Sequence, residues 1–445
     1  MAISSRTRVV LAGAVGNIVE WYDFGLYGLL APVLASLFFP SHDRIAALLG
    51  VYGGFAVGFA MRPIGAIVLG RIGDRRGRKY VLVLSVLLMG AATVAIGLLP
   101  SYTAIGVAAP LLLMLIRLFQ GFSVGGEFVG SVTYLVETAV PNRRGFAGSV
   151  ANIGATIGML LAAGAAAVTA TYAAASPEFW RVPFLFGGVL AFVAYLLRRH
   201  LPPEATEIQA GEPQSPSQSE RTRRERSMTR LISRWPALQA FRELPHTMIT
   251  ALLFTCGYGV SNYVIMVFLP TFAREFANVS EATALQVNTA GQALALAVVP
   301  LAGFISDRWI PRRTLLAIAF FLQAAVTWEL FRLVTRTGVP GLWAAQMVLA
   351  GLLSLVMGAA PAMLAEQFPR GYRVSGHAFV LNVGIGIAGG TAPFVGVALV
   401  RAMGSRMAPA VYLIFACMVS GIAVLLLRDR SREDLESEIE AATHS

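Results

Sequence analysis

Between about residue 9 and residue 427 the chain alternates long apolar runs with short polar stretches. An α-helix needs ~20 predominantly apolar residues to cross a bilayer. Runs of that order fall at 9–39, 45–69, 80–99, 104–137, 146–172, 180–200, 245–273, 282–305, 314–334, 340–365, 373–400 and 407–427. The ~10-residue alternating segments of a membrane β-barrel do not occur. The pattern predicts an all-α membrane protein with twelve transmembrane helices. One stretch interrupts it. Residues 201–226 are rich in Pro, Ser, Gln, Glu and Arg, a composition too polar to fold alone. Residues 227–243 then mix Leu231, Ile232, Trp235, Leu238 and Phe241 with Arg230, Arg234 and Arg242, which predicts a short helix on the membrane surface. The spans are thereby divided six and six: a bundle over 1–200, a linker over 201–244, a second bundle over 245–428 and a tail over 429–445.

Composition agrees, and charge adds orientation. The chain is 56% apolar and 13% charged, against ~25% charged for a soluble chain. Its net charge of +11 does not indicate nucleic acid, because the arginines sit in short loops between spans. Arg71, Arg75, Arg76, Arg78 and Lys79 lie in one loop, Arg143 and Arg144 in another, and Arg308, Arg312 and Arg313 in a third; 100–103 carries no charge and 173–179 only Glu178. Basic loops stay inside, so these loops and both termini are expected in the cytoplasm. Arg332, Arg336, Arg401 and Arg406 fall on the other side. Cys256 and Cys417 lie in apolar spans without metal-ligand spacing, so neither metal, cofactor nor disulfide is expected.

The two halves echo each other. GRIGDRRGRK at 70–79 recurs as GFISDRWIPRR at 303–313, and ETAVPNRRG at 137–145 as EQFPRGYRVSG at 366–376. Asp74 and Asp307 are therefore 233 residues apart, and Glu137 and Glu366 are 229 apart. Two echoes at nearly one offset predict two parallel six-helix pseudo-repeats with a solute held near the midplane between them. The repeated strings predict a gate of charges and tight turns: Gly70, Gly73, Asp74, Arg75, Gly77 and Arg78, with Glu137 and Arg144, in the first half; Asp307, Arg308, Glu366 and Arg373 in the second. Gly73 and Gly77 permit the backbone angles of a sharp reversal.

Charge inside a bilayer costs ~3 kcal/mol or more per group, so each embedded ion asks for a reason. In the first span, Glu20 and Asp23 are three residues apart and share a helix face. Asp23 lies ~21 Å from the inner end, near mid-membrane. In the fourth span Arg117 is equally deep, cannot be neutralised and needs a carboxylate from protein or solute. Asp23, Glu20 and Arg117 are the candidate proton-coupling residues. Arg117, Tyr22, Gln120, Glu127 and Arg62 are candidates for binding a solute, joined from the second half by Asn262, Tyr263 and Asn382. Asn288, Gln292, Gln346 and His377 are further polar groups in spans, where interhelical hydrogen bonding is the ordinary role. Gly121, Gly125 and Gly126 offer a smooth surface for close helix contact.

At these residues the chain resembles the major facilitator superfamily, whose signature between the second and third helices is matched by GRIGDRRGRK and whose fourth-helix motif is matched by RLFQG. More narrowly, GNIVEWYDFGLYG, MRPIG at 61–65, RLFQGFSVGGE and FWRVPF are similar to the metabolite:proton symporters, which include permeases for α-ketoglutarate, citrate, shikimate, and proline or betaine. The resemblance implies that Asp23 and Arg117 serve coupling and that Asp74, Arg75 and Arg78 serve a cytoplasmic gate. Osmosensing members carry a long C-terminal coiled coil. Here the tail runs 17 residues past Arg428 without sustained heptads, which argues against that role. The second-half string lacks the closing Gly-Arg, which predicts a weaker gate. The expectation is a monomeric, non-enzymatic transporter of the bacterial inner membrane that imports a small organic acid with protons. A zwitterion such as proline or betaine comes second, and export by the same fold third. No output domain supports a receptor, and no nucleophile–base pair or paired metal ligands inside the membrane support an enzyme.

Overall fold

The computed structural model describes residues 5–76, 78–123, 132–133, 135–137, 139–173, 175–199, 236–369, 373–431 and 433. Gly77, Glu127 and the linker before Pro236 lie outside these residues; of Gly70, Gly73, Asp74, Arg75 and Arg78 only the helical backbone is described.

Every one of the twelve expected positions carries a helix. The first is a bent pair, α1 (Ser5–Leu29) and α2 (Ala31–Phe38), with Val15–Leu29 and Ala31–Phe38 inclined at 62°. Pro32 sits in the first turn of α2, where its missing N–H costs nothing. α3 (Arg44–Ala60) is capped by Asp43, whose carboxylate accepts from the amides of Ile45 and Ala46 at 2.9 and 3.2 Å. α4 (Arg62–Arg76) and α5 (Arg78–Leu98) follow, then α6 (Ala108–Ser123), α7 (Arg144–Tyr172) and α8 (Arg181–Arg199). In the second half, α9 (Pro236–Glu243) precedes α10 (Pro245–Tyr263), a π-helical turn at Val264–Phe268 and α11 (Leu269–Ala277). α12 (Glu281–Arg308), α13 (Arg312–Thr337) and α14 (Val339–Glu366) are straightforward spans. α15 (Arg373–Leu381), a second π-helical stretch at Asn382–Gly389 and α16 (Gly390–Met403) make one, and α17 (Ala408–Leu426) is the last. Ten described helical segments are long and apolar enough to cross a membrane; the bent pair and the 16-residue α6 complete the twelve.

Two expectations change. The segment read as a charged turn over 70–79 is helical as far as Arg76. Backbone groups at membrane depth are satisfied best within a helix, and glycine is tolerated in membrane helices. The surface helix expected over 227–243 is described only as Pro236–Glu243.

Small residues let the spans approach one another. A Cβ on Gly121 of α6 would stand 1.8 Å from the carbonyl oxygen of Gly58 on α3, and one on Gly158 of α7 would stand 2.5 Å from that of Ile18 on α1. The halves meet chiefly along α7 against α12 and α14, and α3 against α16. Gly145 and Gly303 face each other there, each blocking a Cβ on the other at 2.6 Å from a backbone oxygen. On the outside, large apolar side chains stay bare: Leu98 and Leu111 at 64%, Phe415 at 66%. Such continuous apolar exposure is foreign to soluble monomers and suits lipid.

Candidate functional site

The deepest ions of the first half form one cluster. Asp23 on α1 is 1% exposed and Arg117 on α6 is 0%. Their closest approach, Nη1 to Oδ2, is 3.7 Å, too long for a hydrogen bond. Asp23 Oδ1 accepts from Thr93 Oγ1 on α5 at 2.6 Å and from Gln120 Nε2 at 2.8 Å. The side-chain amide oxygen, Oε1, of the same Gln120 accepts from Arg117 Nη1. Asp23 Oδ2, Arg117 Nε and Arg117 Nη2 have no hydrogen-bond partner. Aromatic faces supply much of what water would give Arg117: its guanidinium carbon lies 4.2 Å from the Tyr27 ring centroid and 5.0 Å from that of Phe24. Desolvated contacts of this kind are worth about 2 kcal/mol or more. Arg62 is held similarly. It pairs with Glu20 at 3.3 Å and lies between Phe24 and Phe59, at 4.4 and 4.3 Å. Glu20 and Asp23 therefore share a helix face, as their spacing predicts, and each answers one arginine.

Beside this cluster, between the halves, is a cavity of about 20 Å³ lined by Trp21, Asn152, Thr156, Tyr258, Asn262 and Gln292, with Met159, Met357 and Ile385. It has room for one water molecule. Its lining has no charged residue, and both halves contribute to it. Tyr263 stacks on Trp21 with ring centroids 6.4 Å apart. Two buried polar groups of the lining lack partners, Trp21 Nε1 and Gln292 Nε2, as does the Tyr263 hydroxyl, which lies beside the cavity toward Arg62 and Glu20. All three can donate a hydrogen bond. Asn152 donates to the carbonyl of Met357 across the halves at 2.6 Å. The Val264–Phe268 π turn starts just after Tyr263, and the Asn382–Gly389 stretch brings Ile385 to the cavity.

Ion pairs close the bundle at both ends. At the arginine-rich end Glu137 pairs with Arg373 at 2.8 Å, and Arg144 approaches Glu366 at 3.9 Å, each across the halves. Arg312 bonds directly to Glu366 and pairs with Asp307 at 2.7 Å. Asp307 in turn accepts from the amides of Gly145 and Phe146, at 2.7 and 2.8 Å. A carboxylate from the second half thus caps the N-terminus of α7, where the helix dipole favours it. The stretch after α17 lies over the same contacts: Gln367 donates to the Arg428 carbonyl at 2.8 Å, Arg313 N to Asp429 Oδ2 at 3.1 Å, and Arg144 to the Glu433 carbonyl at 2.8 Å. At the opposite end Arg44 pairs with Glu275 at 2.9 Å, Arg401 with Asp43 at 3.3 Å, and the Tyr52 and Thr271 hydroxyls meet at 2.9 Å.

The structure brings Asp23, Arg117 and Gln120 together, and Glu20 with Arg62. Asn262 lines the cavity and Tyr263 adjoins it. Tyr22 points elsewhere, donating to the Pro183 carbonyl at 2.7 Å, and Asn382 donates to Ala378 at 2.9 Å. Glu137, Arg144, Asp307, Glu366 and Arg373 converge at one end; Arg308 is exposed beside Phe304. Glu127 and Gly77 are outside the described residues, and the side chains of Asp74, Arg75 and Arg78 are not described. His377 is buried, 3.4 Å from the Thr133 hydroxyl. Sequence reasoning missed Thr93, Asn152, Thr156 and Tyr258, ordinary residues in apolar spans. It also missed Trp21 as a lining residue, although a tryptophan far from the membrane interface is itself a signal. Arg401 drew notice only as an exception to the charge rule, and its partner Asp43 lies in a distant loop.

The family model described as Major Facilitator Superfamily matches residues 13–326 and, in a second match, 251–444. The Alpha-ketoglutarate permease of Escherichia coli K12 is 33% identical over 440 residues, covering 96% of this chain and 96% of its own. The Ectoine/proline transporter ProP of Corynebacterium glutamicum is 31% identical over 443 residues, 97% of this chain and 86% of its own. The Citrate-proton symporter of Klebsiella pneumoniae is 30% identical over 436 residues, 97% of this chain and 94% of its own. Among solved structures, the crystal structure of a D-xylose-proton symporter superposes with a TM-score of 0.72 at 17% identity, over 96% of this chain and 98% of that one, a likeness of fold alone.

Proposed function

This chain belongs to the Major Facilitator Superfamily of membrane-embedded transporters, and from that premise we propose that it imports a small carboxylate-bearing metabolite together with a proton. The observation that carries the reading is the set of unpartnered donors in and beside the central cavity. Trp21 Nε1, Gln292 Nε2 and the Tyr263 hydroxyl are all donors, and a buried donor without an acceptor costs ~1–3 kcal/mol. A carboxylate is the acceptor such a set would take. Asp23, one helix face away with one oxygen unbonded, is the proton carrier, and Arg117 is its countercharge. Import proceeds by alternating access: the ion pairs of one end part while those of the other hold. The basic end faces the cytoplasm of a bacterial inner membrane, with both termini on that side, because arginines concentrate there. The bundles over 1–200 and 245–428 move as the two bodies, joined by 201–244, and the unit is a monomer.

A small organic acid is the first reading, supported by two embedded arginines. A zwitterion such as proline or betaine is the second. A specific observation favours it: Arg62 and Arg117 already have acid partners, while the cavity lining is uncharged and partly aromatic, as suits an alkylammonium group. The relatives are named for solutes of both kinds. Uptake by proteoliposomes under an inward acid gradient, with a panel of labelled carboxylates and zwitterions, decides between them. We expect one member to accumulate, a protonophore to collapse its gradient, and Asp23→Asn to abolish accumulation while exchange of labelled for unlabelled solute persists. Accumulation that ignores the gradient and survives Asp23→Asn would sink the coupling reading.

A further inference from the structure

Gln120 occupies an unusual place in the buried cluster. Its side chain bonds at once to the acid and to the base: the amide nitrogen donates to Asp23 Oδ1 at 2.8 Å, and the amide oxygen accepts from Arg117 Nη1. The two charges that would form the stronger, direct, charge-assisted contact stand 3.7 Å apart instead. Little else holds Arg117 back. Its Nε and Nη2 make no hydrogen bond, and its remaining contacts are ring faces, over which a guanidinium can slide. Asp23 Oδ2 lies open toward it without any bond.

We propose that Gln120 is a positioning residue: a neutral wedge that keeps Arg117 off Asp23 and thereby sets the pH at which the Asp23 carboxyl exchanges its proton. The proposal rests on the reading of Asp23 as the proton carrier. The argument is one of competing partners. A carboxylate gripped by a guanidinium through two parallel bonds surrenders that contact on protonation. A carboxylate held by an amide and a hydroxyl surrenders far less, because neutral donors discriminate weakly between its two forms. The wedge therefore leaves Asp23 near an arginine for charge balance but untied to it. Among the described residues, the other groups acting on this site are few. Tyr22 adjoins Asp23 on its own helix; Tyr27, Arg62 and Tyr263 act on Arg117. From α5 comes only Thr93, from α7 the uncharged Met159 and Ala162 against Gly25, and from α8 the Pro183 carbonyl that accepts from Tyr22.

Two variants make opposite predictions, and neither needs a known solute. Gln120→Met keeps the length of the side chain, removes its bonds to Asp23, to Arg117 and to the Thr93 hydroxyl at 3.2 Å, and lets Arg117 close on Asp23. Thr93→Val removes a donor from the same oxygen, and with it that 3.2 Å contact, but leaves the bonds of Gln120 to Asp23 and Arg117 in place. In the purified full chain in lipid nanodiscs, infrared titration follows the protonated-carboxyl stretch that Asp23→Asn removes. Relative to wild type, we expect Gln120→Met to move the midpoint at least about one pH unit to acid, a tenfold change, and Thr93→Val to move it to alkaline pH. The pH profile of solute uptake should shift with the band. Gln120→Leu gives the same test if the methionine variant does not fold. A Gln120 midpoint that stays put, or that moves to alkaline pH with Thr93→Val, overturns the proposal, since the amide would then be only a second donor. A carboxyl stretch that never titrates overturns both this inference and the proton reading; one that titrates without responding to Gln120 overturns this inference alone.

Discussion

A buried charge is expensive wherever it stands, yet residues of one type in this chain differ widely in what their removal should cost. Arg312 is fully buried and answers two carboxylates, Asp307 and Glu366, themselves almost without exposure. Breaking such a set strands charge in a low-dielectric site and costs about 3 kcal/mol or more. Arg44 pairs with Glu275 at a similar distance, but its side chain is 65% exposed, and pairs of that kind contribute about 1 kcal/mol or less. Arg312→Ala should therefore lower the unfolding temperature of the purified protein in detergent substantially, and Arg44→Ala barely; equal losses would mean that burial does not govern these pairs. At this scale the sequence was legible where charge met apolar surroundings. Asp23, Glu20, Arg62 and Arg117 stand out in a string of Leu, Val and Phe because nothing but a partner justifies them. Thr93, Asn152 and Tyr258 do not stand out, since a hydroxyl or amide in a span is cheap to satisfy and frequent.

Helices were legible as runs, and their faces were not. Length located the spans, and the repeat of GRIGDRRGRK in GFISDRWIPRR pointed to two related halves. The same repeat misled over 70–76, where glycine and arginine read as a turn and the chain stays helical. The π-helical turn at Val264–Phe268 and the stretch at Asn382–Gly389 each add residues beyond the α-helical register, so a helical wheel drawn through either span assigns the later residues to wrong faces. Glycine spacing was a sounder guide. The expected close contact at Gly121 is present, against Gly58. Gly121→Ala should cause loss of folded protein, measured as the monodisperse fraction after extraction, because its Cβ would overlap a backbone oxygen that cannot retreat. Gly164, with nothing within 4 Å, should accept alanine without effect. If both substitutions behaved alike, tight α3–α6 packing would not be what Gly121 provides.

The molecule is bridged at both ends around a central cavity of about 20 Å³, so the proposed alternating access requires one set of bridges to part before a solute enters. With Cys256 and Cys417 replaced, a thiol-to-thiol cross-linker between Glu137→Cys and Arg373→Cys should halt uptake, and so should one between Arg44→Cys and Glu275→Cys, each reversibly on cleavage. Uptake that continued through either linked protein would show that this end never opens. The basic end was legible in its doubled motif. The other was almost illegible, since Asp43, Arg44, Glu275 and Arg401 look like ordinary loop and interface charges until folding sets them opposite one another.

The bond from Arg144 to the Glu433 carbonyl spans 289 residues of chain. A ribosome adding ~5–20 residues per second needs roughly 15–60 s to cover that distance. For most of that interval, from residue 200 onward, the first bundle is complete while the groups that will seal its basic end, Asp307, Glu366, Arg373 and lastly Glu433, are still being made. Closure of that end is thus among the last events in the birth of the molecule, and each newly made copy passes through a period in which its first half is complete and its lock is not.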